Sequence, residues 1–451
     1  MNNTLHEPAR ETPIEGHYDV CIIGGSCTGV FAAIRAADLG LSVALVEQNI
    51  LFGGMAVAAQ VSEWHSLSDA HDRNQIIGGL TAEVLRSLEK RQAVLESTRA
   101  DRGTYYLFNS TELALELDER VRNHPNIRPF LKATCVGAVR EDNALRAAII
   151  EDKSGRRAIR ARFFIDASGD GDLLRRGKLE AWKNSHLQPV TYQVMVSGLN
   201  QIQEESGRPI WPQISDLADQ YNYPRSNATP WINRFAGVGD LRNLYGPRLN
   251  GVDASDADQL TQGILESRRC HRALHDMMRK RFGHALSPVF LSHAMGVRET
   301  WHADCHHRLT AQELLSGIKF DDRIACGTYP VDVHSPEGTL LRFLDGREHF
   351  VTPDGVTEKR RWQDPGDTSA CYFIPYRSLV PRNADNLLVC GRLLDADREA
   401  FGGVRVMVNM NQTGEAVGIA AWLALKNNQA AANINVGTLR EHLRDSGSLL
   451  P

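Results

Sequence analysis

The sequence predicts an α/β protein in which one parallel-sheet domain is interrupted by an inserted α+β cap domain. Three observations carry this expectation. A strand–turn–helix–strand pattern opens the chain, glycine-marked apolar strands return near its end, and the stretch between has a different texture. Tyr18 to Ile23 is a short apolar run that breaks into glycines and then a helical stretch, Val30 to Leu39. Ser42 to Val46 is a second apolar run, closed by Glu47. A strand, a tight turn, a helix and a strand within about thirty residues make the βαβ unit of a dinucleotide-binding domain. Helical patterns follow at Leu80 to Lys90 and Glu112 to Arg122. Between Ile127 and Ile165 the short alternating runs, punctuated by Asp142-Asn143 and Lys153-Ser154-Gly155, read as an antiparallel meander. Phe163-Phe164-Ile165 reads as a buried strand feeding another glycine turn.

From 186 to 374 the chain carries Asn/Pro/Ser-rich loops and a long amphipathic helix around Leu260 to Arg281, the features of the cap. The first texture returns with the apolar strand Leu387 to Cys390, the Gly402-Gly403 pair and the helical run Thr413 to Ala424. The expected organisation is therefore a flexible tail over 1–16, a nucleotide-binding domain over 17–185 and 375–451, and a cap over 186–374.

The 451 residues suit two intertwined domains. Hydrophobic residues are 42% and charged residues 24%, an ordinary globular composition. A net charge of -4 offers no electrostatic footprint for nucleic acid or anionic membrane. Val417 to Leu425, the longest apolar run, is too short to insert in a membrane. Met1 to Gly16 lacks the apolar core of a signal peptide. The eight cysteines are scattered without a CxxC pair, which suits a reducing, cytoplasmic setting and excludes a redox dithiol.

The first turn reads Gly24-Gly25-Ser26-Cys27-Thr28-Gly29. In a G-x-G-x-x-G turn the glycines permit a tight bend, close approach of pyrophosphate and close helix packing, with the phosphates at the helix N-terminus. Ser26 replaces the middle glycine and is small enough to keep that approach open. The alternative is a chance glycine turn, but the flanking strand and helix and the position of Glu47 argue for a nucleotide. A carboxylate there favours an unphosphorylated ribose, with Gln48 beside it. Two further turns follow: Phe52-Gly53-Gly54-Met55-Ala56, and Asp166-Ala167-Ser168-Gly169-Asp170-Gly171-Asp172. Gly391 ends the last strand and Gly403-Val404 precedes the last helix. Glycine-marked strand ends spread so widely suit the extended FAD molecule better than NAD. Cys135 and Val136 join the expected cofactor contacts.

The chain resembles the FAD-dependent oxidoreductase family. The resemblance rests on the first glycine turn, Gly53-Gly54-Met55-Ala56, Asp166 to Asp172, Arg298-Glu299-Thr300 and Tyr329-Pro330-Val331-Asp332-Val333-His334. Ile374 to Leu379, Asn386 to Arg392 and Gly403 to Met407 complete it, so that it spans about residues 18 to 425. It implies a Rossmann-like FAD-binding domain of the glutathione-reductase-like kind and a relation to the succinate dehydrogenase and fumarate reductase flavoproteins. Two departures stand out. Met55 occupies the position of the histidine that carries covalent flavin in relatives, so non-covalent FAD is expected. Trp301-His302 replaces an arginine pair, which points to a different substrate.

A flavin dehydrogenase or reductase needs a substrate held at flavin N5 and a group that moves a proton, and the cofactor supplies the redox chemistry. His334 and His302 are candidates because histidine titrates near neutrality. Arg298 and Glu299 lie in a family segment, Arg377 is placed to grip a carboxylate, and Arg405 follows the last glycine turn. Each has a structural alternative: His334 as a solvent-facing residue, Arg298–Glu299 as a buried ion pair bracing the cap, Arg377 as a tie between cap and flavin domain. On a helix His302, Cys305 and His306 would share a face, but an ordinary polar surface is the expectation and no metal site is predicted.

The expected activity is hydride transfer between FAD and a small polar organic molecule. The alternatives are a flavin monooxygenase and a redox-neutral lyase or hydrolase using transient flavin oxidation. The absence of CxxC argues against a disulfide reductase, and that of W-x-W-x-I-P against a tryptophan-type halogenase. No second G-x-G-x-x-G unit offers a site for NAD(P)H, so a separate electron-transfer partner is expected. A homodimer is the default for an enzyme of this size.

Overall fold

The computed structural model describes residues 4–99, 103–199, 210–224, 230–283, 286–352, 355–364 and 369–451. Five parallel strands form its centre: β1 (Ile14–Ile23), β2 (Val43–Glu47), β3 (Ile127–Leu131), β6 (Gly155–Asp166) and β7 (Leu387–Val389). They lie in the order β3-β2-β1-β6-β7. This is the doubly wound order, in which the connections reverse direction between β1 and β6 and leave a crevice at the strands' carboxyl ends. The strands are apolar on both faces because both are covered, one by helices and the other by the antiparallel strands that follow Leu131 and the short helix Asp172–Arg176. Val20 to Ile22, Val43 to Leu45 and Phe164-Ile165 are fully buried.

β4 (Thr134–Glu141) and β5 (Ala144–Asp152) pair antiparallel with each other, and β5 pairs with the first half of β6. The second half of β6 is left to β7. The expected meander therefore begins only at Thr134. Ile127–Leu131 instead pairs parallel with β2, because the helix Ser110–Arg122 provides the crossover a parallel strand requires. β1 also starts earlier than expected: Ile14 pairs with Ala158 and Gly16 with Ile159.

The helix α1 (Cys27–Asp38) is buried from Cys27 to Ala37 beneath α2 (Met407–Asn427). A Cβ on Gly414 would stand 2.1 Å from the Thr28 carbonyl oxygen, and one on Gly418 2.4 Å from that of Ala32. The two glycines, one turn apart, let the helix backbones touch. The crossing is pinned by a buried ion pair, Arg35 Nη2 to Glu415 Oε2 at 2.6 Å.

Between residues 190 and 297 the chain builds its own core. Strands Trp231–Arg234, Arg242–Leu249, Val190–Ser197 and Ser287–Leu291 form an antiparallel sheet in that order. The 26-residue helix Ala257–Phe282 buries Cys270, Leu274, Met277 and Met278 against it. Apolar residues from Leu309 to Val380, in contrast, share the core of α1 and α2. A second antiparallel sheet, Val331–His334, Thr339–Arg342, Arg347–Thr352 and Gly355–Arg361, projects from that part. All eight cysteines are buried free thiols. Among the described residues no helix is long and apolar enough to cross a membrane.

Candidate functional site

A cavity of about 1120 Å³ opens at the carboxyl ends of the parallel strands. It exceeds the ~300–1,000 Å³ usual for small-ligand pockets. Its nucleotide side collects Gly24, Ser26, Cys27, Thr28, Glu47, Gln48, Gly53, Gly54, Met55, Cys135, Ala167, Ser168, Gly169, Asp172 and Gly391. The fold brings these together because each follows or ends a strand of one sheet.

The phosphate turn is built by close approach. Gly24 has φ 105°, and a Cβ there would stand 2.4 Å from the Ala167 carbonyl oxygen. On Gly29 a Cβ would lie 1.8 Å from the Gly24 carbonyl oxygen. Gly25 and Gly29 therefore shape the turn from behind and do not line the cavity. Ser26 caps α1, its side chain accepting from the Gly29 N–H, and the N-terminus of α1 faces the cavity with its positive end. Glu47 Oε2 accepts from the Gly25 N–H at 2.7 Å, and Oε1 accepts from the backbone and side-chain N–H groups of Asn49, each at 2.7 Å. Burial pushes the Glu47 pKa up, while these bonds pull it back.

The loop after β6 is set by Asp166, which accepts from the Ser168 N–H and hydroxyl and the Leu174 N–H. Burial, with the charges of Asp166 and Asp170 behind it, pushes Asp172 up to about 7. Gly391 donates its N–H to Thr413 Oγ1 at 3.2 Å, tying the end of β7 to α2. Val136, at an irregularity in the β4–β5 pairing, lies outside the cavity lining. So do Gly403 and Val404, which are buried in the short helix Arg398–Val404.

These groups fit FAD. The turn and the helix N-terminus suit a pyrophosphate, and Glu47 suits ribose hydroxyls. Two buried polar atoms of lining residues, Asn411 Oδ1 and Arg392 Nη1, have no hydrogen-bond partner among the described residues. One accepts and the other donates, as a dinucleotide with a polar ring edge requires.

The opposite side of the cavity carries Arg298, His334 and Arg405, together with Arg248, Tyr329 and Asp332. Asp332 is buried at the middle of this group. Its Oδ2 accepts from the Tyr329 hydroxyl at 2.5 Å and from Arg405 Nη2 at 3.1 Å, and its Oδ1 lies 3.3 Å from His334 Nε2. Burial alone would raise the Asp332 pKa, but the Arg405 guanidinium and the Tyr329 hydroxyl hold it well below the carboxylate range. His334 Nδ1 meets Thr339 Oγ1 at 2.7 Å. Burial keeps His334 neutral, pushed down to about 3, with the Arg298 and Arg248 charges acting in the same direction against Asp332. His65 stacks on Tyr329 with ring centroids 4.7 Å apart.

Arg298 and Glu299 do not pair with each other; each finds other partners. Arg298 Nη1 donates to the Pro189 carbonyl and the Thr191 hydroxyl at 2.8 and 2.7 Å. Glu299 turns away from the cavity to accept from the Gln188 N–H at 2.9 Å and from Asn184, and meets His302 Nε2 at 3.2 Å. His302 is fully buried between Trp182, stacked at 4.6 Å, and Phe401. It lies on the strand His302–Ala303 rather than a helix, and Cys305 is buried beyond it, so the expected shared face with Cys305 and His306 does not form. Among the described residues no three His, Cys, Asp or Glu side chains are grouped to hold a metal ion. Arg377 is also outside the cavity, in a two-point ion pair with Asp322 at 2.9 and 3.3 Å.

Tyr329, Asp332, Asp170 and Arg392, which the sequence shows only as members of longer motifs, also line the cavity, as do Arg248 and Asn411, which it does not single out. Asp332 and His334 were legible in principle, since alternate residues of the strand Val331–His334 share a face. Arg248 sits in no motif and carries no such signal.

Among solved structures the chain is similar to p-nitrophenol 4-monooxygenase from Pseudomonas putida, with 11% identity over 96% of this chain and 84% of that one and a TM-score of 0.45. It is also similar to a geranylgeranyl bacteriochlorophyll reductase-like protein from Thermoplasma acidophilum, with 12% identity, 96% and 84% coverage and a TM-score of 0.48. Among curated sequences, the dihydrolipoyl dehydrogenase of Trypanosoma brucei brucei is 30% identical over 113 residues, 22% of this chain and 23% of that enzyme. This chain thus spans under a quarter of that relative's length. The family model for FAD dependent oxidoreductases matches residues 19–443, nearly the full length. The chain belongs to the FAD-dependent oxidoreductase family and is an enzyme with FAD as its cofactor.

Proposed function

We propose that this enzyme is a dehydrogenase or reductase that exchanges a hydride between flavin N5 and a small polar organic molecule. One observation carries the reading: the cavity is continuous from the glycine turns to the group formed by Arg298, His334, Asp332 and Arg405. FAD supplies the two-electron chemistry when bound. The chain's own residues bind and orient. The α1 N-terminus and Glu47 hold the nucleotide end, and Arg405 is positioned by Asp332 at the opposite side. His334 is kept neutral between Asp332 and Thr339 and helps to orient this group. Met55 stands among the cavity-lining residues, and its thioether supports a cofactor held without a covalent bond.

The test is anaerobic mixing of the enzyme with a panel of small alcohols, acids and amines, followed by flavin absorbance. Bleaching without oxygen supports the reading. Turnover that occurs only with oxygen and an external reductant, and yields a hydroxylated product, assigns a monooxygenase instead.

A further inference from the structure

Guanidinium groups gather on the cap side of the cavity. Arg248, Arg298 and Arg405 all line it. Asp332 stands among them; its Oδ2 is held by Tyr329 and Arg405, and its Oδ1 faces His334 Nε2 at 3.3 Å. Glu63, another carboxylate of the lining, accepts from Asn233 Nδ2 at 2.8 Å. Arg298 bonds only neutral oxygens among the described residues, those of Pro189 and Thr191. Burial, reinforced by the Arg405 and Arg248 charges, pushes its pKa down to about 9. A guanidinium taken from water beside two others is costly unless an anion joins it.

On the neighbouring wall Leu341 and Val351 of the second antiparallel sheet, with Phe343 beside them, face the same cavity among Thr339, His349 and Lys359, and give a carbon skeleton a place to lie. The site thus offers a cationic end and an apolar flank.

Resting on the redox reading above, we propose that the substrate is a small organic carboxylate. Its carboxylate is held by Arg298 with Arg405 beside it, and its carbon skeleton lies along Leu341, Phe343 and Val351. A planar, two-oxygen anion matches the guanidinium fork, and charge-assisted bonds of this kind are about twice as strong as neutral ones. Arg298 is a binding residue in this scheme.

The test titrates acetate, succinate and benzoate, each against its amide and against inorganic phosphate, into the FAD-loaded enzyme. Flavin difference spectra and thermal shift are read in parallel. At least one carboxylate is expected to saturate and to bind at least about tenfold more tightly than its amide and than phosphate. Arg298→Gln is expected to weaken that carboxylate about tenfold or more while FAD content stays at the wild-type level, and Arg298→Lys to fall between. Equal binding of acid and amide, preference for phosphate, or wild-type binding by Arg298→Gln would overturn the proposal. An FAD-loaded enzyme indifferent to every carboxylate overturns it too, yet leaves the redox reading standing. A protein that holds no FAD but is thermally stabilised by a carboxylate through Arg298 supports the anion site and removes the redox reading.

Discussion

Along its nucleotide side the cavity is lined by main chain and small residues, Gly24, Ser26, Gly53, Gly54, Ala167 and Gly391, whereas the cap side presents Arg248, Arg298, Arg405, Asp332 and His334. The first wall works by closeness. Its recognition elements are backbone N–H groups and a helix end, and its constraint is close approach at Gly24, Gly53 and Gly54, where a Cβ would stand 2.4, 2.3 and 2.7 Å from its nearest neighbour. The second works by charge, with long side chains gathered from separate segments. Disturbing the first should remove the cofactor. Disturbing the second should leave the cofactor in place and remove what is done with it.

The largest effect is expected at Asp332. Asp332→Ala leaves Arg405 without its buried carboxylate partner, and breaking a buried pair this way costs about 3–5 kcal/mol. Turnover is lost and chemical denaturation shows the drop in stability. FAD content at a temperature where the variant is folded stays near that of the wild type. Loss of FAD from folded Asp332→Ala would show that the two walls are not separable.

Gly29→Val tests the other wall. Its Cβ would meet the Gly24 carbonyl oxygen at 1.8 Å, a clash with backbone that no rotamer relieves. About 3 kcal/mol of strain, the upper end for overpacking, corresponds to roughly a hundredfold loss of FAD affinity. FAD retained through gel filtration measures it.

The cap core should also respond to acid on its own. His271 is 2% exposed and its Nε2 meets the Tyr192 carbonyl at 3.0 Å, so burial pushes its pKa down to about 4. The folded form resists a proton that the unfolded chain accepts below about 6.5. Its contribution is full above that pH and is lost as pH falls through 4, a change on the order of 2–3 kcal/mol. His271→Gln keeps a donor for Tyr192 without titrating. Urea denaturation across this range should show a shallower acid slope, with His275 and His334 keeping the remainder.

The smallest effect is expected at Arg377. Its pair with Asp322 is exposed, and such pairs are worth about 0.2–1 kcal/mol. Arg377→Ala should leave FAD content unchanged and shift the denaturation midpoint only slightly. A large loss of FAD would mean that this residue acts on the cavity from outside its lining.

The contrast between the walls also explains what could be read in advance. The phosphate turn, Glu47, the Asp166 to Asp172 loop and the Gly391 strand end are local patterns: a strand, a glycine and a helix within a few residues define both the backbone and its use. Ile127–Leu131 was misplaced because its alternating pattern suits either strand direction, and only the crossover helix before it decides. The cap side was harder. Arg248 sits near the end of the strand Arg242–Leu249, Arg298 lies in the irregular segment after that sheet, and Arg405 follows a helix more than a hundred residues on, so no sequence interval relates them. Glu299 sat in a family segment with His302 beside it, but in the fold the two meet each other away from the cavity, while Arg298 lines it and Thr300 Oγ1 donates to Asp170 at 2.7 Å.

The most direct measurement is the visible spectrum of the purified wild-type protein before and after acid precipitation, run beside Gly29→Val. An oxidised-flavin spectrum, complete release of the colour as FAD and a pale variant are the expected result. A colourless wild-type protein that FAD does not reconstitute, or colour that stays in the pellet, would contradict a non-covalent FAD seated on the glycine turn.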